Sequence, residues 1–229
     1  MFADSTYSDR FFLPRSTRRS TLPLLGSSKV NTVANRTPGL RFQLWVDAVG
    51  GFLVCLGEEI TIGQPAPGVD VPILADLSRR HARIRRSGEG YVLQPLQSVQ
   101  IDAREVTEPT LLASGDLIEL GGSVRLRFVR PHPLSSTARL DFVSHHRTQP
   151  PVDAVLLMSD TCVLGPKPTA HCVCRDWPHE VFLFRQADEL HCRSNDDFEI
   201  DGHTVRRRGQ VTYDSQVTGR DFSMKLEQV

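Results

Sequence analysis

Beyond residue 40, apolar and polar positions alternate with a period of two, the pattern of strands that bury one face. Phe42, Leu44 and Val46 interleave with Gln43, Trp45 and Asp47, and Val124, Leu126 and Phe128 interleave with Arg125 and Arg127. Phe52 to Leu56 is apolar at every position and reads as a core strand. Gly50-Gly51, Ser87-Gly88-Glu89-Gly90 and Ser114-Gly115-Asp116 punctuate these runs as turns, and Val99 to Val106 reads as a short hairpin. Pro65, Pro67 and Pro72 fall where no ladder hydrogen bond is required of them. An all-β chain of many short strands, packed as a sandwich, is expected.

Residues 1–39 break the pattern. Apolar groups occur there as isolated pairs such as Phe11-Phe12 and Leu24-Leu25, too few to offset the chain entropy of ordering, so a disordered tail is expected. It is basic, with Arg10, Arg15, Arg18, Arg19, Lys29 and Arg36 against Asp4 and Asp9, and rich in Ser and Thr. Hydroxyls beside arginines (Ser16, Thr17, Ser20, Thr21) suit basophilic kinases, and a solvated tail without a role is the simpler alternative.

The strand pattern then repeats. After a polar connector over 132–151, Leu164-Gly165-Pro166 answers Ile62-Gly63-Gln64, and Asp176-Trp177-Pro178-His179 answers Ser78-Arg79-Arg80-His81. His81 precedes Asp102 by 21 positions and His179 precedes Asp201 by 22. Leu117 to Phe128 matches Val211 to Phe222, each 11 apart. Internal duplication is the simplest explanation. It predicts two tandem β-sandwiches, 40–131 and 152–229, joined by a linker at 132–151.

Charge narrows the partners. The chain's 27 basic and 27 acidic residues cancel, so no global field draws it to nucleic acid or an anionic membrane, and any electrostatic partner must meet a local patch. No apolar run approaches the ~20 residues that span a bilayer. Five cysteines, an odd number, with no secretory leader, lead to the expectation of a reduced, cytoplasmic setting. His171-Cys172-Val173-Cys174 and His191-Cys192 supply metal-ligand types, but structural zinc sites more often space paired cysteines by two to four residues, and cysteines facing a core need no metal. No metal, cofactor or catalytic site is assigned, because no nucleophile elbow, phosphate-binding glycine loop or dinucleotide fingerprint is present.

The ordered set of Gly63, then Ser78-Arg79-Arg80-His81, then Gly115-Asp116 resembles the forkhead-associated (FHA) domain, well over Leu40 to Arg130 and weakly over Val152 to Val229. The resemblance implies a phosphothreonine-binding adaptor whose partner is a phosphorylated protein or kinase substrate. Phosphothreonine carries about −1.5 to −2 charges and three strong acceptors, so its site needs a fixed hydroxyl, backbone N–H groups and a guanidinium. Ser78 offers the hydroxyl and Arg79 the charge, with Gln64, Arg80 and, from the neighbouring hairpin, Arg104 completing the expected set. Gly63 and His81 are expected to shape the loop, the histidine as a buried brace.

Three departures keep a second reading open. Gln64 stands where the family usually has arginine, and exchanging a charge-assisted bond for a neutral one costs ~1–2 kcal/mol. Gln94-Pro95-Leu96-Gln97-Ser98 lacks the family's usual Asn-Gly. In the second copy, Pro166 and Asp176 take the arginine and serine places, and an aspartate repels phosphate. The alternative function is a phosphate-independent scaffold or self-association module.

Overall fold

The period of two resolves into strands throughout a computed structural model that describes residues 40–132, 134–187 and 189–229. The expected tail lies outside the described residues. A hairpin, β1 (Arg41–Val46) and β2 (Gly50–Cys55), comes first. It is followed by β3 (Glu59–Gly63), β4 (Val71–Pro72), β5 (Ala82–Ser87), β6 (Gly90–Pro95), β7 (Val99–Ile101) and β8 (Arg104–Val106). Next are β9 (Thr110–Leu112), β10 (Leu117–Leu120) and β11 (Val124–Val129). A second hairpin, β12 (Ala138–Phe142) and β13 (Ala154–Leu157), leads into β14 (Thr161–Gly165), β15 (Cys172–Val173), β16 (Val181–Gln186) and β17 (Glu189–Arg193). The chain ends with β18 (Phe198–Ile200), β19 (His203–Val205), β20 (Arg208–Val211), β21 (Gln216–Thr218) and β22 (Ser223–Gln228). No described residue is helical, so no helix long and apolar enough to cross a membrane occurs among them.

Two five-stranded sheets, β4-β3-β5-β6-β9 and β15-β14-β16-β17-β20, have the same internal order. They share one 12-stranded sheet, ordered β19-β18-β21-β22-β1-β2-β13-β12-β11-β10-β7-β8. The hairpins are exchanged. β1 precedes the first set of strands in sequence but pairs with β22, Leu44 opposite Leu226, while β12 precedes the second set and pairs with β11, Leu140 opposite Phe128. At the centre β2 and β13 run parallel, Leu53 opposite Val155.

Parallel strands covered on both faces need apolar residues at every position. That requirement explains the unbroken runs Phe52 to Leu56 and Ala154 to Met158. Leu53, Cys55, Val155 and Leu157 face one core, and Phe52, Val54, Ala154 and Leu156 face the other.

This topology corrects the expected linker at 132–151. Ala138 and Leu140 are fully buried in β12, their period hidden in sequence by Arg139 and Asp141, and Thr137 and Thr148 are also buried. Phe42, Leu44 and Val46, expected to belong to the first half, pack in the core built mainly by the second. Periodicity reports which face is apolar, not which neighbour covers it.

Details of the repeat shift as well. Asp102 and Asp201 both have positive φ, and each accepts from the backbone that opens the strand beside it, Leu117 N–H at 3.1 Å and Gln216 N–H at 2.8 Å. Leu117 therefore answers Gln216, and Val211, at the end of β20, answers Leu112. Ala82 pairs with Ile62 and Val181 with Leu164, which sets Glu180 rather than the exposed His179 in the place of His81.

Candidate functional site

Four segments of the first set converge on one buried imidazole. His81 is 4% exposed, and its backbone N–H donates to Ile62 O at 2.8 Å at the end of β3. Its carbonyl accepts from Leu96 and Gln97 N–H at 3.1 and 3.0 Å, fixing the short β6–β7 loop. In the ring, Nδ1 accepts the N–H of Ser78 at 3.3 Å and Nε2 lies 2.9 Å from Ser98 O. Those partners require the neutral tautomer with hydrogen on Nε2. Ser98 O also accepts from Gly121 N–H at 3.3 Å, which ties in the β10–β11 turn.

Gly63 is required by close approach. A Cβ there would lie 2.6 Å from the Ser78 carbonyl oxygen and closer still to that of Arg79, so only glycine lets the β4–β5 loop lie against β3. Gln64 N–H then donates to Ser78 O at 3.1 Å. The loop is anchored inward by buried Leu77 and lifts Ser78 and Arg79 into solvent, with Arg80 half-buried. Among the described residues, the Ser78 hydroxyl and the guanidinium groups of Arg79 and Arg80 have no hydrogen-bond or ion-pair partner. An exposed hydroxyl on a braced loop beside two unneutralised cations can receive a dianion without first breaking internal bonds.

Other expected residues serve differently. Gln64 Nε2 donates to Ala75 O at 3.2 Å and so braces the β4–β5 loop from its other flank. Arg104 is not brought to the loop. It opens β8 after the Asp102-Ala103 turn, at the end of β7 away from Ser98, and lines a groove of about 650 Å³ with Asp102 and Asp116. Gly115-Asp116 lies at that same far end, where the Asp116 carboxylate accepts Ala113 N–H at 2.8 Å. Sequence proximity to a hairpin does not say which end of the sandwich the hairpin faces.

The arginines of β5 are largely engaged. Arg83 lies 3.8 Å from Glu59, and Arg86 donates to Met158 O at 2.8 Å while lying over the Tyr91 ring. Ser98 and Gly121 were not anticipated as parts of the site. The Gly121-Gly122 pair, both at positive φ, was the available signal.

In the second set, Cys162, Cys172, Cys174 and Cys192 are all buried in the core. Burial pushes the Cys174 and Cys192 thiols up to about 12 and raises Cys172, which also lies beside Cys162. Among the described residues no three His, Cys, Asp or Glu side chains are arranged to hold a metal.

Residues 60–121 match the family model of the FHA domain. The FHA domain of Rv0020c is 30% identical over 37% of this chain and 88% of its own, with a TM-score of 0.26. A structure from a structural and functional analysis of phosphothreonine-dependent FHA domain interactions is 29% identical over 36% and 88%, with a TM-score of 0.27. The FhaA FHA domain complexed with the intracellular domain of Rv3910 is 29% identical over 35% and 92%, with a TM-score of 0.26. No curated protein sequence matches the chain.

Proposed function

Because the chain belongs to the FHA-domain family, we propose that it is a non-catalytic adaptor that binds phosphothreonine-containing proteins through its β4–β5 loop in cytoplasmic kinase signalling. Ser78 donates its hydroxyl to the phosphate, Arg79 and Arg80 supply charge, and Gly63 and His81 hold the loop in shape. The observation that carries this reading is the exposed, unpartnered Ser78–Arg79 pair on a loop fixed by a buried histidine. The match of residues 60–121, which include Gly63, Ser78 and His81, to the FHA-domain family model adds support.

Two observations favour a second reading, a phosphate-independent scaffold. The Gln64 amide is committed to Ala75, and the β6–β7 loop is held tightly against His81. Fluorescence anisotropy against matched phosphothreonine, phosphoserine and unmodified peptide libraries, repeated with Ser78→Ala, separates the two. Selective phosphothreonine binding that weakens in the variant supports the adaptor; equal or absent binding across the three libraries overturns it.

A further inference from the structure

The segment before β13 adds a short extension to the edge of the sheet that carries the Ser78 loop. Ile73 and Thr148 form an antiparallel bridge, Leu74 N–H donates to Arg147 O at 2.9 Å, and Gln149 N–H donates to Pro72 O at 2.9 Å. Thr148 is fully buried, and its hydroxyl donates to Pro150 O at 2.6 Å, so the segment is fixed to the edge. The register places Arg147 directly opposite Leu74. Directly opposed residues of an antiparallel pair project to the same face, and both of these are exposed, Leu74 at 55%.

Across this end of the sheet the order is Arg147, Leu74, the Gln64–Ala75 contact, then Ser78 and Arg79. Neighbouring strands are ~4.8 Å apart, which puts Arg147 about two spacings from the end of β3. Its Nη1 donates to the adjacent His146 O at 3.0 Å, and it forms no ion pair among the described residues. The stacked rings of His145 and His146, 4.4 Å between centroids, precede it. The loop's only carboxylate, Asp76, sits where the backbone turns back against Gly121, whereas Leu74 sits where it meets Arg147.

We infer that Arg147 and Leu74 extend the binding surface and select phosphothreonine peptides bearing an acidic side chain beside the phosphorylated residue. This inference rests on the phosphothreonine reading of the Ser78 loop. Leu74 supplies apolar contact for the peptide, and Arg147, one strand beyond the Gln64–Ala75 contact, supplies a fork of donors at the edge of that surface. The guanidinium matches a carboxylate in geometry as well as charge. The cation needed for peptide selection thus comes from the segment joining the two sets of strands.

The test uses the full chain and fluorescent phosphothreonine peptides in which one aspartate, or one lysine, is walked through the flanking positions. The wild type is expected to bind the best aspartate peptide roughly three- to fivefold more tightly than its lysine counterpart, the size of an exposed ion pair. Arg147→Ala should erase that difference, and Arg147→Glu should reverse it, while both variants keep their requirement for phosphate. Phosphate-dependent binding with the same aspartate preference in all three proteins overturns this inference alone. Absence of phosphate-dependent binding in the wild type overturns both this inference and the reading beneath it. Unchanged thermal unfolding of both variants would exclude misfolding as the cause of an altered preference.

Discussion

His81 and Ser98 are joined by a 2.9 Å bond from the imidazole Nε2 to a backbone carbonyl, so the loop that presents Ser78 and the loop after β6 share one brace. His81→Ala removes that bond and the acceptor for Ser78 N–H. Leaving a buried polar group unpaired costs about 1–3 kcal/mol, and in a protein of this size each kcal/mol lowers Tm by roughly 2–4 °C. His81→Ala is therefore expected to lower both Tm and phosphopeptide affinity. Ser78→Ala, at an exposed position, should lower affinity alone. Differential scanning calorimetry beside anisotropy checks the contrast, and equal Tm values for the two variants would contradict the bracing role.

Gln64→Arg should strengthen phosphate recognition. The substitution gives up the neutral bond to Ala75 O and offers a guanidinium beside Ser78. A hydrogen bond to a charged group exceeds a neutral one by roughly 1–1.5 kcal/mol, so affinity for a phosphothreonine peptide is expected to rise by up to about tenfold. Titration of wild type and variant with the same peptide measures it. An unchanged Kd would mean that the phosphate does not approach position 64.

These two sites differ in how plainly the sequence announces them. Gly63, Ser78 and His81 were legible because each does a job that few residue types can do: permit close backbone contact, present a short hydroxyl, or accept and donate from one buried ring. Arg104 was misplaced because its hairpin was identified without its orientation along β7. The strand β12 was missed because Arg139 and Asp141 disguise a buried Ala138–Leu140 face. The hairpin exchange left no local trace, since Phe42 and Leu44 are equally apolar whichever half they cover. Arg147 was invisible for a related reason, as its place is set by a two-residue bridge to Ile73.

Acid should weaken the fold through His171. Its Nδ1 accepts Val163 N–H at 2.9 Å, a role that an imidazolium cannot fill. Burial first, then the charges of His132 and Arg139, hold its pKa down at about 4, against an ordinary value of 6.5. Between those values the unfolded chain binds the proton that the folded chain refuses, so stability falls as pH is lowered from about 6.5 to about 4 and this contribution then levels off. His171→Asn keeps an acceptor oxygen near the place of Nδ1 without titrating. Urea midpoints at pH 7 and 5 should fall less for the variant, and parallel losses would remove His171 as the cause.

The exchanged hairpins alter where the chain can be divided. A fragment spanning 40–131 lacks β12 and β13, and with them Leu140, Val155 and Leu157 of the first core. Burying each such side chain contributes about 1.5–3 kcal/mol, so this fragment is expected to lose cooperative unfolding. A fragment spanning 57–158 retains β3 to β13, a five-stranded sheet facing the six-stranded run from β13 to β8. Thermal melts followed by near-ultraviolet circular dichroism compare them, and cooperative melting of 40–131 alone would contradict the shared architecture.

Sequence order and spatial order part company most widely at β1. Trp45 donates from Nε1 to Glu227 at 3.0 Å across 182 positions of chain, and β1 has β22 as its outer neighbour. During synthesis from the N-terminus, the strands from β3 to β13 are all available well before β22 exists. The earliest strand therefore waits longest for its neighbour, with Phe42, Leu44 and Val46 lacking much of their core and one backbone edge open to other chains. Pulse-labelled hydrogen exchange during refolding should show amides of β10 and β11 protected before those of β1 and β22; simultaneous protection would indicate that the exchanged hairpin closes in the same step as the rest. On the ribosome, that interval makes β1 the strand in greatest need of a chaperone.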